Sequence, residues 1–147
     1  MAGDPPAPRA RLLVLGAGPA QLGLLAAARA RGLYVIAADR DPSAPGFPLA
    51  DKRALVSTED EQAIDRLAEA EGVDGIVAPG IDWPVGIAAR VAERLGLPHP
   101  IDAQTGAAVT SKRRQRERLA AAGVPQPRSF VCAGLDEARA AAAETGY

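Results

Sequence analysis

Apolar residues fall along this chain in short blocks, each followed by a stretch whose apolar positions recur at helical spacing. Leu12-Leu13-Val14-Leu15 runs into Gly16-Ala17-Gly18-Pro19-Ala20-Gln21-Leu22-Gly23 and then into an Ala/Leu/Arg segment, which predicts a strand, a glycine turn and a helix over about Ala20 to Arg31 closed by Gly32. Tyr34 to Ala38, ending at Asp39, reads as a second strand and completes a βαβ unit. Asp41 to Lys52, with three prolines and Gly46, is a loop, and Arg53 to Val56 a short third strand. Thr58 with Glu61 forms a capping-box pattern for a helix through Glu71, with Gly72 as its stop. Gly75 to Ala78 is a fourth strand, and Val85, Ala88, Ala89, Ala92 and Leu95 mark a helix closed by Gly96. Four such repeats predict an α/β fold with a doubly wound, mostly parallel sheet and helices on both faces.

The pattern changes at Asp102. A short helix comes first, then a basic helix over Ser111 to Ala122 and a Gly123-Val124-Pro125 turn. A strand at Ser129 to Cys132 and an Ala-rich helix from Asp136 to Glu144 complete the chain. The reading therefore divides the chain into a disordered tail (1–10), a Rossmann-like domain (11–101) and a following segment (102–147).

Composition narrows the chemistry. The 147 residues suit one globule, 48% of them are apolar and only 3% aromatic, so the core must be built from Ala, Leu, Val and Ile. A net charge of -1 argues against bulk attraction to nucleic acid or to an acidic membrane. A lone Cys132 and a lone His99 leave neither a disulfide nor a zinc cluster, which fits a reducing cytoplasm. Arg9 and Arg11 ahead of Leu12 to Ala28 resemble a signal peptide only superficially, because three glycines, Pro19 and Gln21 interrupt the stretch.

The first turn is the strongest chemical signal. Glycines there let the backbone approach a ligand, and the next helix offers free N–H groups to a phosphate or carboxylate; a tight turn alone would also demand them. The dinucleotide pattern G-x-G-x-x-G needs glycine where this chain has Gln21, and the third glycine comes two residues late at Gly23. Asp39 reads as a loop-capping residue beside Asp41 rather than a ribose ligand. Pro79-Gly80-Ile81-Asp82 ends the fourth strand, and if that strand lies beside the first, both turns flank the crevice where open α/β sheets bind ligands. Asp82 is then a substrate contact, a helix N-cap ahead of Trp83-Pro84, or both. His99, between two prolines, reads as structural or exposed. Lys112 to Arg118 carries five cations and one anion. Without interleaved aromatics it reads as a solvated helix face, or as a face with one cation reaching a phosphate, rather than as a nucleic-acid adaptor.

The order of these pieces resembles the N-terminal, pre-ATP-grasp portion of the ATP-grasp carboxylate–amine ligases. Gly16 to Gly23 is similar to that family's first turn, where Gln and a later Gly are ordinary. Ala38 to Pro42, Leu49 to Lys52, Val73 to Val77, Gly80 to Asp82 and Leu95 to Pro98 are similar to its following segments. Thr110-Ser111-Lys112, Leu119 and Gly123 to Pro127 resemble the helix and turn that open the ATP-grasp fold proper. The resemblance implies an ATP- and Mg2+-dependent ligase that activates a carboxylate as an acyl phosphate and joins it to an amine. It implies that Gly16, Gly18, Pro19, Ala20, Gln21, Gly80 and Asp82 face the small-molecule substrate and that Lys112 contacts nucleotide phosphates. It implies no catalytic residue and no metal ligand within this chain, which then stands as an N-terminal fragment, inactive alone. Its partner is the remainder of the ATP-grasp fold or a homodimer mate, with the 129–132 strand and last helix mobile or paired across that dimer. The alternative is a standalone NAD(P)-type dinucleotide-binding module, regulatory or oxidoreductase-like.

Overall fold

The computed structural model of the chain describes residues 8–146. Four strands, β1 (Arg11–Leu15), β2 (Tyr34–Asp39), β3 (Lys52–Leu55) and β4 (Gly75–Val77), form one sheet in the order β3-β2-β1-β4. All three pairings are parallel, with Leu13 opposite Ile36 on one side and opposite Ile76 on the other. The alternation in the strands decides which helix goes where. Leu13, Leu15, Ile36, Ala38 and Ile76 meet Ile64 and Ala68 of α2 (Glu61–Glu71) and Ile87, Val91 and Ala92 of α3 (Asp82–Leu95). Val14, Val35 and Ala37 meet Leu25 and Ala28 of α1 (Leu22–Ala30), together with Ala44 and Phe47 from the loop after β2. Each large side chain buried in these layers contributes about 1.5–3 kcal/mol, so a one-residue register slip would reverse both faces at once. The doubly wound α/β sheet with helices on both faces is what the four repeats predict.

Local chemistry moves several boundaries. The first helix is split, with a 3₁₀ turn at Pro19–Gln21 before α1. Asp60, not Thr58, caps α2, its carboxylate accepting from the Ala63 N–H at 3.0 Å. The expected capping box fails because Asp60 stands next to the first helical turn, whereas Thr58 lies in the preceding turn. Residues 1–7 of the expected tail lie outside the described residues. Arg9 and Ala10, by contrast, are held: Arg9 donates to the Leu33 carbonyl and pairs with Asp51, each at 2.6 Å, and the Tyr34 N–H donates to the Ala10 carbonyl at 2.8 Å.

By contact the chain divides into two compact units, 1–110 and 111–147. The helix capped by Asp102, α4 (Ala103–Val109), packs against α3 and so belongs with the first unit, although the sequence pattern changes ahead of it. That crossing is close, because a Cβ built on Gly106 would lie 3.1 Å from the Gly86 Cα and 3.1 Å from the Ala89 Cβ. The second unit holds α5 (Lys112–Ala121) and α6 (Leu135–Thr145). Ser111 caps α5, and Gly123, at φ +67°, ends it in the expected turn. Arg128 donates to the Glu144 carbonyl at 3.2 Å and pairs with its carboxylate. The expected strand at Ser129 to Cys132 is not formed. All four residues are exposed, and without a partner strand among the described residues an extended segment gains no ladder bonds. Among the described residues no helix is long and apolar enough to cross a membrane.

Candidate functional site

The strand order fixes the place of the site. From β1 the chain winds one way to β2 and β3, and β4 is added on the opposite side, so the direction reverses between β1 and β4. Ligands bind open α/β sheets outside the carboxyl ends of the strands at such a reversal. Here the turns at that edge are Gly16 to Gln21 after β1 and Ala78 to Asp82 after β4.

The first turn is held from several sides. Gly16 adopts φ +102°, open to glycine and costly for other residues, and its N–H donates to the Ala38 carbonyl at 2.7 Å. The Ala17 N–H donates to Asp39 Oδ2 at 2.8 Å, and the Asp41 N–H to Asp39 Oδ1 at 3.0 Å. Both Asp39 oxygens are therefore engaged by backbone, so this carboxylate braces the turn. Ser43 gives its N–H and hydroxyl to Asp41 Oδ1, and these two bonds hold the Asp41 carboxyl below its ordinary range. Gly46 presses its backbone onto the turn: its N–H donates to the Ala17 carbonyl at 2.7 Å, and a Cβ there would lie 2.5 Å from a Leu25 methyl. No motif points to Gly46, because its role arises from close approach across the fold.

The β4 turn reaches the first through Gly80, at φ +74°, where a Cβ would lie 3.4 Å from the Ala20 Cβ. Pro19, Ala20, Gly80 and Asp82 are exposed along this edge, and Gly18 is half-buried. Gln21 is not on the surface. It is 2% exposed, and its side-chain amide donates to the Pro79 carbonyl at 2.6 Å. Asp82 occupies the first turn of α3, and Ile81 is the N-cap, without a side-chain cap bond; the expected Asp82 cap is thus displaced by one residue. The Gly18 N-cap of the 3₁₀ turn likewise lacks a side-chain cap, whereas α2, α4 and α5 are capped by Asp60, Asp102 and Ser111. Neither helical start at this edge has a side-chain cap on its N-cap residue, and the first turn of α3 carries the Asp82 carboxylate.

His99 is half-buried and shares its Nδ1 with the Ile101 carbonyl at 2.8 Å, beside an apolar cavity of about 290 Å3 lined by Val77, Pro79 and Val85. In the second unit Lys112 is the exposed first residue of α5. It lines a groove of about 640 Å3 with Arg113, Arg116, Gln126, Phe130 and Val131. Gln126 donates to the Arg116 carbonyl at 3.0 Å, and its Oε1 is buried with no partner among the described residues. The five cations of this segment sit on one short helix. Among the described residues no group of three His, Cys, Asp or Glu side chains could hold a metal ion.

Comparison with known proteins agrees with this fold. No protein-family model matches the chain. It is 34% identical over 142 residues to the formate-dependent phosphoribosylglycinamide formyltransferase of Mycobacteroides abscessus, covering 95% of this chain and 35% of that one. The enzyme of the same name from Paraburkholderia xenovorans is 32% identical over 139 residues, covering 93% of this chain and 34% of its own. The chain thus spans about a third of the length of the curated relatives it matches. Among solved structures, phosphoribosylglycinamide synthetase from Anaerococcus prevotii superposes with a TM-score of 0.74 at 24% identity, over 95% of this chain and 36% of that one. An ADP complex of N5-carboxyaminoimidazole ribonucleotide synthetase gives 0.78 at 20%, over 95% of this chain and 36% of that one. These two likenesses are to the fold.

Proposed function

We propose, from the chain's match to the N-terminal part of ATP-grasp ligases, that the crevice between β1 and β4 binds the acceptor substrate of such a ligase, a phosphorylated amine of the phosphoribosylglycinamide type. The observation that carries this reading is the meeting of the Gly16 to Gln21 and Pro79 to Asp82 turns at the reversal of the sheet, with two uncapped helical starts and one exposed carboxylate. The chain's residues divide the work by charge. Backbone N–H groups at Gly18, at Ala20 and at Ile81 to Trp83 suit a phosphate, and the Asp82 carboxylate suits the acceptor's amine.

ATP, when bound, supplies the phosphoryl group that activates a carboxylate for attack by the amine. The groove of the second unit keeps a net positive lining, with Glu117 paired to Arg113, and Lys112 with Arg116 would hold nucleotide phosphates there. Among the described residues no three His, Cys, Asp or Glu side chains converge to hold the metal that such a ligase uses with ATP. The dinucleotide alternative is disfavoured by the first turn itself. Asp39, which a ribose would need, already accepts from Ala17 and Asp41, and the Gln21 side chain stands where the fingerprint requires glycine.

Calorimetric titration tests the reading. Phosphoribosylglycinamide is expected to bind saturably, one to one, and NADH not at all; the reverse pattern would establish the dinucleotide module instead. Lys112→Met is expected to weaken ADP binding about tenfold, the loss of roughly 1.4 kcal/mol of charge-assisted contact. Unchanged ADP affinity in that variant would remove Lys112 from the nucleotide site.

A further inference from the structure

Gln21 is the only polar or charged residue buried in the interior among the described residues. Burying a carboxamide is costly unless it is hydrogen-bonded, and here the bond goes out of its own turn to the Pro79 carbonyl. The β1–β4 ladder stops at Val14 opposite Val77, so the two turns beyond it lie past the last ladder pair. The Gln21 amide continues the coupling where the ladder leaves off.

The glycines make room for it. A Cβ on Gly16 would lie 3.0 Å from Gln21 Cδ, and a Cβ on Gly18 would lie 3.2 Å from Gln21 Oε1. The third contact is Gly80, whose Cβ would lie 3.7 Å from Gln21 Nε2. Gly16, Gly18 and Gly80 thus form the walls of a seat for one side chain.

We propose that Gln21 is the positioning residue of the crevice: seated under Gly16 and Gly18 and donating to Pro79, it sets the spacing of the two turns without touching the ligand. The consequence for acceptor affinity rests on the function proposed above. Removing the donor frees two loops to move independently, and a site held to within fractions of an ångström loses affinity when its supports loosen.

The test uses the whole chain with Gln21→Met and Gln21→Glu, which keep the length of the side chain and remove the donor at neutral pH. Nuclear magnetic resonance of the Pro79 carbonyl carbon and the Gly80 amide nitrogen reads the bond directly, while the amides of Leu13, Ile36 and Ile76 report whether the sheet is intact. Both variants are expected to shift the Pro79 and Gly80 signals and lower the order parameters of Gly80 and Asp82, with the sheet signals unmoved. Acceptor affinity, measured with phosphoribosylglycinamide, is expected to fall tenfold or more. Folded variants with unmoved Pro79 and Gly80 signals overturn the latch, and shifted signals with full affinity overturn the positioning role. A wild-type chain that does not bind phosphoribosylglycinamide overturns the acceptor reading instead, and the Pro79 and Gly80 signals then judge the latch alone. Should both variants fail to fold, Gly18→Ala, at an ordinary φ of -73°, crowds Gln21 Oε1 and is expected to shift the same two signals; if they stay in place, the latch is overturned.

Discussion

The glycines of the first turn are not equivalent, and single substitutions separate their roles. Gly16 combines φ +102° with a side chain 3.0 Å from where its Cβ would stand, so Gly16→Ala is expected to cost about 1–3 kcal/mol in chemical denaturation. Gly23 lies in α1 with nothing within 4 Å, and Gly23→Ala is expected to stabilise by about 0.5–1 kcal/mol through helix propensity alone. Equal effects at the two positions would contradict the seat assigned to Gln21. The misfit of Gln21 to the dinucleotide fingerprint is visible in the sequence. Its partner is not, because the Pro79 carbonyl lies 58 positions away and belongs to the backbone. Gly46 was hidden for the same reason, its importance being a close approach to Ala17 and Leu25 that no local pattern records.

At the scale of elements, the helices on the α2/α3 face are tied by both packing and charge. Arg90 of α3 grips Glu61 of α2 with contacts of 2.9, 3.1 and 2.6 Å, and Arg94 pairs with Asp65 at 2.5 Å. The Arg90 hydrogen bond holds the Glu61 carboxyl below its ordinary 4.5, and Lys52 with Arg11 does the same for Glu71. A carboxyl lowered in the folded state contributes stability that is present above 4.5 and lost as the pH falls through the folded value. Arg90→Met is therefore expected to cost up to about 1 kcal/mol at pH 7, a modest figure because the pair is partly exposed, and to converge with the wild type in acid. A constant difference down the whole acid limb would assign the loss to packing rather than charge. The α3/α4 crossing makes a second demand: Gly106→Ala should cost about 1–3 kcal/mol because backbone and Ala89 block the new methyl. Element type was legible where period and punctuation agreed, as in β1, β2 and α3. It failed at Ser129 to Cys132, whose apolar run favours a strand but whose pairing partner is absent among the described residues. The cap at α2 differs by two positions because Asp60, next to the first helical turn, takes the free N–H that Thr58 was expected to take, and α3 begins one residue early, at Asp82 itself, behind an Ile81 N-cap that has no side-chain cap bond.

At the scale of the whole molecule, sheet order is what converts two separate glycine turns into one site. The sequence supplied both turns, and only the β3-β2-β1-β4 order places them side by side at the reversal. The proposed acceptor crevice lies in the first unit and the groove proposed for a nucleotide in the second, so the two proposed binding functions are expected to be separable by mutation. Lys112→Met should leave phosphoribosylglycinamide binding intact, and Gln21→Met should leave ADP binding intact, each checked by titration. The curated relatives that the chain matches are about three times as long. The central claim is the location of the ligand, and it is tested most directly by amide nuclear magnetic resonance during titration with phosphoribosylglycinamide. The account predicts saturable shifts concentrated at Gly16, Gly18, Ala20, Gly80 and Asp82. No shifts there, or the same shifts on adding NADH in its place, would contradict it.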